Sequence, residues 1–182
     1  MADRGPGLTG VLLVGGASTR FGSPKALAEL DGEPLAERAW RTLGEACDER
    51  LAVGKAGELR LSFAVLDDGT DVRAPIAGVV AALAAASNDL CVVLPVDCPL
   101  VTPDLLRTLA GACAGADAAV PQTGPLPGAY RKTALPVLQR RLAEERLSLR
   151  DALGELDART VELDERLLAN VNTPAELDSV RE

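Results

Sequence analysis

The apolar run LTGVLLV, Leu8 to Val14, limits what this chain can become more than any other feature. It is short, carries no charge and lies between Gly7 and Gly15, as suits a strand buried on both faces. Leu90 to Leu94 repeats the pattern. Strands of this kind need helices above and below them, and the intervening sequence offers them. Leu35, Ala39, Trp40, Leu43 and Cys47 recur at helical spacing. Pro75 to Ser87 reads as a helix apolar nearly all round, with Pro75 in its first turn. Thr102-Pro103 opens a helix through Cys113, and Thr133 starts one containing Leu135, Leu138 and Leu142. Ser148 to Asp151 resembles a capping box, and Thr173-Pro174 opens a short C-terminal helix.

Further strands are expected at Leu51 to Val53, Ser62 to Leu66, Ala118 to Val120, Gly128 to Arg131 and Val161 to Leu163. Strands alternating with helices imply a mostly parallel, Rossmann-like sheet in a three-layer α/β/α arrangement. No linker or repeat divides residues 1–182, so one domain is expected, with 1–7 a loose end.

Composition narrows the chemistry. The 182 residues carry a net charge of −8 and no basic run, which opposes binding to nucleic acid. Aromatic residues are only 2%, too few for a base-stacking surface. There is no histidine, which excludes Ser-His-Asp and Cys-His machinery and imidazole-bound zinc. The four cysteines show no CxxC spacing. No signal-peptide core is present, and the longest apolar run is too short to span a bilayer, so the chain reads as cytoplasmic.

Three unusual stretches fall at the expected carboxyl ends of strands, where open α/β sheets bind ligands. The first is GGASTRFGSPK, Gly15 to Lys25. It matches neither the Walker loop nor the dinucleotide fingerprint. Its glycines would still let backbone N–H groups approach an anion, with Arg20 and Lys25 supplying charge. A solvated turn with incidental cations is the competing reading. The second is LDDGTD, where Asp67 and Asp68 also make good turn chemistry. The third is PVDCP, in which Asp97 can hold Mg²⁺ or hydrogen-bond turn amides. Near the end, ANVNTP sets Asn170 and Asn172 before a capped helix, as ligand contacts or as turn and cap residues.

Together VLLVGGASTRFGSPKAL, PIAGVVAAL, VVLPVDCPLV, PLPGAYRKTALPVL and ANVNTPAEL resemble the molybdenum cofactor guanylyltransferase family. That family lies within a wider group of nucleotidyltransferases sharing an NTP-binding α/β fold. The resemblance implies transfer of GMP from Mg-GTP to molybdenum-loaded molybdopterin, with release of pyrophosphate. It implies that Leu13, Val14, Gly15 and Gly16 lie against the nucleotide, and that Arg20 and Lys25 hold its phosphates. Asp67 would sit in the nucleotide site, Asp97 would ligate Mg²⁺, and Asn170 and Asn172 would fall on the pterin side. The chain departs from the family pattern at Val14, usually Ala, and at Gly54, often Asn near the base. CTP is therefore the rival nucleotide. Transfer to a sugar or polyol phosphate stays open as a rival reaction, and a non-catalytic carrier of the finished cofactor as a rival role. A molybdoenzyme apoprotein or delivery factor is the implied recipient.

Overall fold

The computed structural model, which describes residues 7–15, 24–55 and 60–180, sets the first apolar run as β1 (Leu8–Leu13) inside a sheet. A 3₁₀ turn at Lys25–Leu27 follows, then a small hairpin of β2 (Glu29–Leu30) and β3 (Glu33–Pro34). Asp31 and Gly32 form its turn with φ of 55° and 79°. The Asp-Gly pair meets the left-handed requirement of such two-residue turns. After it come α1 (Leu35–Ala46), β4 (Glu49–Gly54), β5 (Val65–Asp67), α2 (Pro75–Ala85) and β6 (Leu90–Pro95). The second half supplies α3 (Pro103–Ala112), β7 (Ala118–Pro121), β8 (Gly128–Arg131), α4 (Leu135–Ala143), α5 (Leu149–Ala152), β9 (Ala158–Val161) and α6 (Pro174–Ser179).

The described residues form a seven-stranded sheet in the order β5-β4-β1-β6-β8-β7-β9. Within it β8 alone runs against its neighbours, β6 and β7, and the remaining pairs are parallel. The chain leaves β1 toward β4 and β5, then returns to place β6 on β1's other side. The order therefore reverses between β1 and β6, and a crevice opens at their carboxyl ends.

Alternation along the strands builds two cores. Leu12, Val14, Val92 and Leu94 pack with Leu35, Leu43, Leu106 and Leu109 on the face of α1 and α3. Val11, Leu13, Cys91 and Val93 pack with Ile76, Val79, Leu83 and Leu138 on the face of α2 and α4. The three layers follow from this two-sided burial. Burying each Leu or Val side chain contributes about 1.5–3 kcal/mol before entropy is counted.

Three helix starts are capped as their sequences dictate. Thr102, Ser148 and Thr173 each accept an N–H three residues on, from Leu105, Asp151 and Glu176. Two strands shift from their expected places. The strand expected at Ser62 to Leu66 forms at Val65–Asp67, because Phe63 stacks on Trp40 at 4.2 Å and Ser62 bonds Glu37. The last strand forms at Ala158–Val161, while Leu163 exchanges two hydrogen bonds with the side chain of Gln122. The helix expected from Thr133 opens with a 3₁₀ turn, and the Thr133 hydroxyl donates to Asp117 at 2.6 Å. Cys47, Cys91, Cys98 and Cys113 are all free thiols. No described helix is long and apolar enough to cross a membrane.

Candidate active site

A cavity of about 460 Å³ opens at the carboxyl ends of β1, β4 and β6. Its floor comes from Leu13, Val14 and Gly15 after β1, Val53 and Gly54 of β4, and Pro95 to Cys98 after β6. Parallel pairing puts these ends side by side, with Leu13 opposite both Val53 and Pro95. The backbone stitches continue past the strands: Val14 N–H donates to Val53 and Val96 N–H to Leu13.

Lys25 and Asp97 meet at this cleft from distant parts of the chain. Lys25 Nζ lies 3.4 Å from Asp97 Oδ2 and donates to Asn172 Oδ1 at 3.0 Å. The Lys25 and Asp97 side chains are 16% and 27% exposed, so the pair is sheltered yet reachable. Two bonds seat the C-terminal segment beside them. Val171 N–H donates to the Asp97 carbonyl at 2.7 Å, and Asn172 N–H donates to Glu176 Oε2 at 2.6 Å. Asn170 lines the cavity directly.

Cys98 has a supporting place only. Burial pushes its thiol well above the usual thiol range, with the neighbouring Asp97 carboxylate adding to the effect. A thiol raised in this way is a weak nucleophile.

The structure brings Asp68 rather than Asp67 to the cavity wall. Asp67 pairs with Gly54 at the end of β5, and its carboxylate accepts Gly69 N–H at 2.8 Å. Gly16 and Arg20, named from the sequence, lie outside the described residues. Several lining residues carried no such expectation: Lys55, Val72 and Arg73 on one side, Thr123, Leu126 and Leu168 on the other. Thr123 and Leu126 belong to the β7–β8 connection. Only the position of Lys55, one residue beyond β4, could have marked it in the sequence.

Glycines keep the floor low. A Cβ on Gly54 would stand 2.8 Å from Val14 Cγ2, close enough that the methyl must move, and in a tight contact of 3.2 Å with Gly15 N. The Val14 methyl thus fills the space that a side chain at position 54 would need.

Comparison with known proteins agrees with this fold. Residues 10–160 match the family model described as the MobA-like NTP transferase domain. A Deinococcus radiodurans protein named "probable molybdenum cofactor guanylyltransferase" is 37% identical, over 93% of this chain and 92% of its own. The molybdenum cofactor guanylyltransferase of Burkholderia ambifaria is 32% identical, over 97% of this chain and 96% of its own. Among solved structures, molybdopterin-guanine dinucleotide biosynthesis protein A from Archaeoglobus fulgidus superposes with a TM-score of 0.82 at 26% identity. That superposition covers 95% of this chain and 96% of its counterpart.

Proposed function

Because the chain belongs to the MobA-like NTP transferase family, it is a nucleotidyltransferase, and we propose that it transfers GMP from Mg-GTP to molybdenum-loaded molybdopterin. The observation that carries the reading is the meeting of Lys25, Asp97 and Asn172 at the switch-point cleft. Residues 1–182 make one nucleotidyltransferase domain with 1–7 as a loose end, and it works in the cytoplasm. The product passes by transient contact to a molybdoenzyme apoprotein or delivery factor.

The reaction suits a site without histidine. A terminal phosphate oxygen of the pterin attacks the α-phosphorus of the nucleotide. The bond from that phosphorus to the bridging oxygen breaks, and pyrophosphate leaves. The attacking oxygen is ionised near neutral pH, so no general base has to be built. The protein's task is alignment and charge compensation.

Lys25, held from two sides, makes charge-assisted contacts to the phosphates, and Arg20 supplies a second cation from the opening loop. Leu13, Val14, Gly15 and Gly16 line the nucleotide, with the bare Gly15–Gly54 strip admitting a planar base. Asn170 and Asn172 face the acceptor, with Thr123 and Leu126 opposite.

The donor set fits a magnesium ion. Among the described residues no group of three acidic, cysteine or histidine side chains gathers to cage a metal. Mg²⁺ ordinarily takes one or two carboxylates and completes its shell with water and substrate phosphates. Asp97 would hold it, and it would neutralise phosphate charge.

The test is pyrophosphate release with Mg²⁺ and molybdenum-loaded molybdopterin, GTP and CTP in parallel. Release with GTP in preference to CTP is the expected result. A CTP preference would move the protein to cytidylyl transfer, the rival that the Gly54 departure from the family pattern raises. Silence with both nucleotides would point to a carrier or to a different acceptor.

A further inference from the structure

One cation in the cleft is committed entirely to the protein itself. Lys55 Nζ donates to Asp68 Oδ1 at 2.6 Å, to the Val72 carbonyl at 3.1 Å and to the Thr70 carbonyl. An ammonium has three N–H donors and all three are engaged. The Lys55 and Asp68 side chains are only 15% and 8% exposed, so the pair is shielded from salt and water. Lys25, by contrast, holds side chains from two separate segments at the reaction end of the same cavity.

What Lys55 ties down is the segment between β5 and α2. Asp68 N–H continues the sheet pairing by donating to the Gly54 carbonyl, and Asp68 Oδ1 also accepts Thr70 N–H at 3.2 Å. Val72 N–H donates to Thr70 Oγ1 at 3.1 Å. This segment then supplies Asp68, Val72, Arg73 and Ala74 to the cavity wall. The tie reaches two carbonyls that precede Arg73, so the wall's shape depends on one half-buried ammonium.

We infer that Lys55 is a positioning residue for the nucleotide: it fixes the 68–74 wall rather than touching phosphate. The inference rests on the nucleotidyltransferase reading above. Removing Lys55 loosens the wall before substrate arrives, so part of the binding free energy goes into ordering it. The loss falls on ground state and transition state alike. KM for the nucleotide rises and kcat stays near its original value.

The experiment compares wild type, Lys55→Met, Lys55→Ala and Asp68→Asn, measuring pyrophosphate release and Mg-GTP binding by calorimetry. Lys55→Met is expected to raise KM roughly tenfold, the net contribution of about one hydrogen bond, with kcat within about threefold. Asp68→Asn should shift KM in the same direction, and it serves as the reading if Lys55→Met fails to fold. Propylammonium, the piece missing from Lys55→Ala, should bring that variant's KM back toward wild type. A merely structural lysine would lower the melting temperature without a selective KM change or rescue. Unchanged KM in folded variants overturns the inference, as does a fall in kcat at constant KM, which would put Lys55 on the reacting phosphates. Wild-type protein that neither binds Mg-GTP nor releases pyrophosphate would instead overturn the underlying activity.

Discussion

The two ends of the central strands use similar polar groups to opposite effect. At the amino end, the fully buried Thr9 hydroxyl donates to Glu49, which also accepts the Ser87 N–H and hydroxyl at 3.0 and 2.8 Å. Asn88 donates back to Thr9 at 3.0 Å. That knot closes on itself. At the carboxyl end, Lys25, Asp97 and Asn172 meet beside a cavity large enough for a nucleotide. A carboxylate inside a closed knot is structural, and one beside open volume is available for chemistry. Placement relative to space, more than residue type, separates the two roles.

The comparison breaks most visibly if carboxyl-end substitutions unfold the protein. Lys25→Ala and Asp97→Ala are each expected to lose roughly 10- to 150-fold in pyrophosphate release, from about 1.5–3 kcal/mol per charged contact. Their circular dichroism and melting should stay close to wild type. Normal turnover by either folded variant would remove that residue from the site.

Glu49→Ala should do the reverse. It strands the buried Thr9 hydroxyl, while the exposed Ser87 donors turn to water, costing about 1–3 kcal/mol of stability. Denaturant titration would read the loss, while turnover of the folded fraction stays at the wild-type level. A clear catalytic defect there would erase the distinction between the two ends.

A smaller effect, about 1 kcal/mol, is expected from Gly54→Ala, whose Cβ meets the Val14 methyl. Val14→Ala in the same chain should relieve it, and the pair should show coupling in a double-mutant cycle. Additive losses would mean that Val14 does not occupy the space beside Gly54.

The subtlest expectation is in acid. Burial alone would raise the Glu49 pKa, but hydrogen bonds from Thr9, Ser87 and Asn88 outweigh it and hold the carboxyl below 4.5. Stability from this group is therefore complete above the unfolded value near 4.5 and is lost as pH falls through the lower folded value. Glu49→Gln should flatten that part of the stability–pH curve. An identical acid slope in wild type and variant would show that the knot gains nothing from the charge.

The same contrast explains what could be read from sequence. β1 and β6 were legible because both faces are buried, which leaves uninterrupted apolar runs. The caps at Thr102, Ser148 and Thr173 were legible because capping is local. The strand near Val65 starts later than its pattern suggests. Leu61, Phe63 and Val65 alternate like a strand, but Phe63 is drawn to Trp40 by a contact invisible in the local pattern. Asp68 rather than Asp67 reaches the cavity because of where β5 ends, and a one-residue boundary is below what periodicity resolves. The role of Lys55 was hidden for a separate reason. Its partners are 13 to 17 residues away, and two of them are backbone carbonyls that carry no side-chain signature.

The reversed strand β8 has an architectural consequence. A strand parallel to β7 would require a crossover back to the far end of the sheet. Because β8 turns back at once, the β7–β8 connection emerges at the cavity and brings Thr123 and Leu126 with it. The molecule thus carries on this rim of the cavity a connection joined to the sheet at both ends and separate from the loops after β1, β4 and β6. On the function proposed above, recoding residues 122–127 is expected to change the preference for the acceptor before that for the nucleotide.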